Sequence, residues 1–128
     1  MQIKLDIDKL KEIEKTTAPL RKKRGGWKSP ATVIHGRRKL EKAFQEYSDF
    51  WTNLISSLFP EYDPAKHLIR MTAIEVSQEV DDIISNILYG FSFVEYSPVR
   101  NEKLKGNECI IHEDKILIPR SEANDRRI

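Results

Sequence analysis

The sequence predicts a helix-dominated α+β fold, and three features of it do so. Residues 1–7 alternate apolar and polar side chains at the period of a strand. Two long central stretches repeat apolar positions at the period of a helix, and alternation returns near the carboxyl end. The expected architecture is an antiparallel helical hairpin, at about 30–59 and 64–89, with a small antiparallel sheet made by the N-terminal strand and C-terminal strands. At 128 residues and 39% hydrophobic side chains, the chain can bury one core without disulfides or a structural metal, so a single domain over 1–128 is expected.

Each element has its own reason. Ile3, Leu5 and Ile7 share one face and Gln2, Lys4 and Asp6 the other, as in a short half-buried strand. Asp8 then offers an N-cap to a short helix through "KLKEIEK", whose two apolar positions, Leu10 and Ile13, give one narrow contact stripe. Pro19, a cationic run and Gly25-Gly26 leave little to bury, so 17–28 reads as a basic arm. Ser29 is a good N-cap and Pro30 suits a first helical position. Beyond them Leu40, Phe44, Tyr47, Trp51, Leu54 and Leu58 step by four and three residues in turn, with Ala43, Phe50 and Ile55 widening the stripe. "PEYD" interrupts at 60–63, where Asp63 can cap and Pro64 can restart a helix. Ile69, Ala73, Val76, Val80, Ile83 and Ile87 then repeat the spacing until Gly90, a residue suited to ending a helix. Helices joined this closely pack antiparallel, which sets Phe44, Trp51 and Leu58 against Ile83, Val76 and Ile69 in one core.

After Gly90 the period drops to that of a strand. "FSFVEY" alternates, "PVRNEKLKGN" is a charged loop, and "ECIIHEDKILIP" reads as a hairpin of two strands about a polar turn at His112 to Lys115. Glu113-Asp114 is a poor two-residue turn, so a longer loop is expected there. The residues from 120 to 128, "RSEANDRRI", have no period and are expected to form a polar tail.

The net charge of +2 hides a segregation. Residues 15–40 hold nine Lys or Arg and no acid, whereas 41–89 hold three basic and nine acidic side chains. Within the basic stretch, Arg21, Lys22, Lys23, Arg24, Lys28, Arg37, Arg38 and Lys39 can neutralise several phosphates. Trp27, beside two glycines, can stack on an exposed base or anchor in a partner's pocket. The competing reading is a basic loop folded back on the chain's own carboxylates at Glu75, Glu79, Asp81 and Asp82.

Catalytic patterns are weaker. His35, His67 and His112 are far apart, and with one cysteine, Cys109, the chain lacks the ligand set of a structural zinc site. Cys109 lies in an apolar run and reads as a small buried thiol in a reducing compartment. Glu113-Asp114-Lys115 matches the Glu-x-Lys half of a metal-dependent nuclease pattern, but at a turn, where such nucleases use a central strand. Asp81 and Asp82, with Glu75 and Glu79, lack the Glu-x-x-His partner of a di-metal bundle, and neither Gly-x-Ser-x-Gly nor a phosphate-cradling glycine loop occurs. No catalytic residue, metal or cofactor is therefore expected.

The expectation is a non-enzymatic binding protein that uses its basic arm to dock on nucleic acid or on an acidic protein surface. The alternatives are a structural subunit of a homo-oligomer or larger assembly, a virion for instance, held by its arm and tail, and a metal-dependent nuclease. No run approaches the roughly 18 apolar residues of a membrane span, and the charged amino terminus is unlike a signal peptide. An intracellular location without membrane contact is expected, in the cytoplasm or in a particle assembled there.

Overall fold

The computed structural model describes residues 1–18, 37–89 and 98–125. In chain order these form β1 (Gln2–Lys4), α1 (Ile7–Thr17), α2 (Arg37–Leu58), β2 (His67–Ile69), a 3₁₀ turn (Met71–Ala73), β3 (Ile74–Val76), α3 (Gln78–Leu88), β4 (Val99–Arg100), β5 (Glu108–Ile111), β6 (Leu117–Pro119) and α4 (Arg120–Asp125). Helix predominates. The strands make one sheet in the order β1-β5-β3-β4 and a second of β2 with β6. The helix-dominated α+β class expected from the sequence is the class observed.

β1 opens the first sheet by pairing antiparallel with β5, so that Ile3 faces Cys109, and Cys109 in turn faces Val76 on β3. This row is the inner side. Glu75 and Ile110 form a pair on the opposite side, as the two-residue side-chain period requires. β4 joins β3 in parallel, which makes this sheet mixed.

α1 begins two residues before the expected place, because Asp6 and not Asp8 is the cap: its carboxylate accepts from the Lys9 amide at 3.2 Å. The helix also runs through Thr17, where the arm was expected to begin. Its two apolar positions are fully buried, and α1 packs against both α2 and α3.

α2 keeps the predicted stripe but turned slightly. Leu40, Ala43, Tyr47, Trp51 and Ile55 are buried, while Phe44, Phe50, Leu54 and Leu58 lie half-buried at its margins. Ala43 and Ile55, expected only to widen the stripe, are at its centre. The expected start at Ser29 and Pro30 lies outside the described residues.

The second arm of the expected hairpin is much shorter than 64–89. Asp63 does cap, its carboxylate accepting from the Ala65 amide at 2.9 Å, but only for one turn before β2 begins. Helix resumes at Gln78, where Ser77 accepts from the Val80 amide and Glu79 and Asp81 sit in the first turn, next to the positive end of the helix dipole. Between these points Ile74 and Val76 turn inward and are fully buried, with the half-buried Glu75 between them. That alternation suits a strand and cannot be met on one helix face. Trp51 and Val76 nonetheless share one core, as expected.

The expected hairpin of residues 108–119 is also corrected. Both strands form, but β5 pairs with β1 and β3, and β6 pairs with β2. Segments 67–76 and 109–119 therefore run side by side as one interrupted antiparallel ribbon, in which 70–73 on one side face 112–116 on the other. Bonds from Arg70 N to Ile116 O and from His112 N to Ala73 O, both 2.8 Å, carry the pairing through the interruption.

Where the tail was expected, Arg120–Asp125 forms α4. Loop 101–107, expected to be simply charged, is tied down. Asn101 N donates to Val76 O at 2.8 Å, Asn107 and Leu5 exchange two bonds, and the Ser77 hydroxyl donates to Gly106 O. Gly106 takes a φ of 62°, a left-handed conformation that favours glycine. The expected helix stop at Gly90 and the expected strand "FSFVEY" lie outside the described residues. No described helix is long and apolar enough to cross a membrane.

Candidate binding sites

The basic segment comes first. Arg21, Lys22, Lys23, Arg24, Trp27 and Lys28 lie outside the described residues. Arg37, Arg38 and Lys39 open α2, whose first turn has no acidic residue. The side chains of Arg38 and Lys39 are exposed, and among the described residues neither makes an ion pair. A helix N-terminus already carries about half a positive charge, so these cations add to a field of their own sign instead of relieving it. An anion meeting this turn faces charge of the opposite sign.

The carboxylates that could have held this segment are dispersed. Glu75 is on β3, not on a helix, and accepts from Asn101 Nδ2 at 2.9 Å and from His112 Nε2. Glu79 faces Lys11 of α1 at 3.5 Å. Asp81 and Asp82 stand together on α3, one half-buried and one exposed, and among the described residues neither makes an ion pair.

His112 meets a carboxylate far away in sequence and not its neighbours Glu113 and Asp114. Those two occupy the turn, with Lys115, as expected. The His112–Glu75 contact depends on the register of β3 against β5, and no local pattern announces it. Among the described residues no group of three His, Cys, Asp or Glu could hold a metal ion, which weighs against the nuclease alternative. Cys109 is fully buried, and burial, reinforced by the Glu75 carboxylate and partly offset by the Met1 amino group, pushes its thiol up to about 12. A protonated, inaccessible thiol is a poor nucleophile.

A second site was not legible in the sequence. α2, the segment 62–71 and the first residue of α4 enclose a cleft of about 140 Å³. Ser48, Trp51 and Thr52 line it from α2, facing Tyr62, His67 and Arg120. Leu68, Ile69 and Met71 supply an apolar wall. Two bonds set its polar groups: the Asp63 amide donates to His67 Nδ1 at 3.1 Å, and Arg120 Nε donates to Pro64 O at 2.9 Å. Trp51 is 2% exposed, and its indole nitrogen is buried with no hydrogen-bond partner among the described residues. Such an orphan donor costs about 1–3 kcal/mol relative to a paired one.

Comparison with known proteins gives no match: no family model fits the chain, and no curated protein or solved structure is similar to it.

Proposed function

We propose that this chain is a binding protein, not an enzyme, and that it docks on a polyanion or an acidic protein surface through its basic segment, residues 20–39. The observation that carries the reading is the start of α2, where Arg38 and Lys39 stand exposed and, among the described residues, without ion pairs in a turn that contains no acid. Like charges held together at the positive end of a helix raise the energy of the unbound state, and an anionic partner relieves it. The dispersal of the carboxylates supports an external partner, since Glu75 and Glu79 already have contacts of their own.

Titration of the whole chain with a single-stranded oligonucleotide and, separately, with polyglutamate tests this. Binding to at least one is expected to weaken steeply with salt, as counterion release requires. For the oligonucleotide, Arg38→Ser with Lys39→Ser is expected to flatten the dependence of log K on log salt by about 1.4 units, at roughly 0.7 per phosphate contact. A chain that binds neither polymer at low salt sinks the reading.

A further inference from the structure

Among the described residues, the cleft between α2, β2 and α4 is lined by several hydrogen-bond donors and by no acid. We propose that it binds a small organic carboxylate with an aryl or short alkyl body, a site separate from the basic segment and independent of what that segment binds.

The donors are specific. Trp51 lines the cleft, and its buried indole nitrogen, which can only donate, has no acceptor among the described residues. His67 already accepts from the Asp63 amide through Nδ1, so the proton of the neutral ring resides on Nε2, which leaves that nitrogen a donor. Arg120 uses Nε on the Pro64 carbonyl, and its terminal nitrogens make no bond among the described residues. A guanidinium tethered in this way is pre-oriented, and its planar fork matches a carboxylate. The hydroxyls of Ser48, Thr52 and Tyr62 are likewise without hydrogen bonds among the described residues, and they can donate or accept. Among the described residues no Asp or Glu lines the cleft, and Arg120 gives it a positive charge.

Size and wall define the rest of the ligand. A cleft of about 140 Å³ is near the roughly 150 Å³ that suffices for benzene. Leu68, Ile69 and Met71 offer it apolar surface, and the Tyr62 ring, 6.2 Å from that of His67, adds an aromatic one. An acceptor head for the donors and an apolar body for the wall are what a benzoate-like molecule combines.

The test is a titration of the ¹⁵N-labelled full chain with benzoate, following the Trp51 indole N–H resonance, which Trp27→Phe separates from that of Trp27. Benzamide, neutral and nearly isosteric, is the control. A saturable shift of the Trp51 resonance is expected with benzoate, with benzamide at least about tenfold weaker, since a charge-assisted bond is lost. Arg120→Gln is expected to weaken benzoate about tenfold and leave benzamide unchanged, and the same spectrum reports that the fold is retained. An unmoved Trp51 resonance at about 10 mM benzoate, well above the millimolar affinity of even a weak ligand, overturns the proposal. Equal affinity for benzoate and benzamide, or an indifferent Arg120→Gln, overturns it as well and leaves the orphan N–H to water.

Discussion

Trp51 shows how much one side chain carries here. It is 2% exposed, meets Phe50 edge-on at 5.1 Å and Tyr47 at 6.4 Å between ring centroids, and belongs to the same core as Val76. Trp51→Ala removes that burial and leaves a hole that helices fixed on both sides can only partly close. A loss of about 3–5 kcal/mol in urea unfolding is expected. A variant within about 0.5 kcal/mol of the parent contradicts the core as described.

Cys109 gives the residue scale a pH signature. Its thiol is raised from an ordinary 9.0 to about 12, chiefly by burial. Between those values the unfolded chain gives up a proton that the native chain keeps, so stability falls as pH rises above 9 and is unaffected by this group below it. Relative to Cys109→Ala, the parent is expected to lose about 2 kcal/mol between pH 7.5 and 10.5, at about 1.4 kcal/mol per pH unit above 9. Equal losses in the two chains would show that the thiol ionises freely in the native state.

At the scale of elements, the body of α2 was readable because its period is unambiguous, whereas the alternation of residues 1–7 makes a strand only over Gln2–Lys4 and gives way to α1 at Ile7. The segment 64–77 was not readable. Ile69, Ala73 and Val76 fit a helical stripe continued by Val80, while Ile74, Glu75 and Val76 fit a strand, and a short apolar run does not decide between them. Two signals favoured the strand. Met71 and Ile74 lie off the helical stripe yet are both buried, and Ser77 followed by Glu79 and Asp81 is a helix start in mid-helix. What finally decides is pairing with residues 109–119, a contact distant in sequence and invisible to local pattern. Ser77 therefore marks a real boundary, and its hydroxyl serves it twice, by accepting from Val80 N and donating to Gly106 O. Ser77→Ala is expected to cost about 1–2 kcal/mol, near the upper end for a lost cap, because the side chain is 1% exposed and the loop bond is lost too. Thermal unfolding monitored by circular dichroism measures it, and a neutral outcome would move the start of α3.

At the scale of the molecule, charge is segregated along the chain. The basic segment was legible from composition alone, because nine cations without an acid in 15–40 need no structure to be seen. The cleft was not, because Trp51, His67 and Arg120 come together only when α2, β2 and α4 do. Arg21, Lys22, Lys23 and Arg24 distinguish the two uses of the basic segment. If it serves an external partner, changing all four to Ser leaves the melting temperature nearly unchanged, since exposed charges contribute only about 0–1 kcal/mol each. Binding to a single-stranded oligonucleotide then loses about 3 units of salt dependence, at roughly 0.7 for each of four phosphate contacts. If the segment is instead a strap across Asp81 and Asp82, the same variant lowers the melting temperature, and high salt, by screening the strap, lowers that of the parent toward it. The second pattern, with partner binding intact, would reverse the assignment: the cations would belong to the folded core's own surface, and the chain's docking face would have to be sought elsewhere.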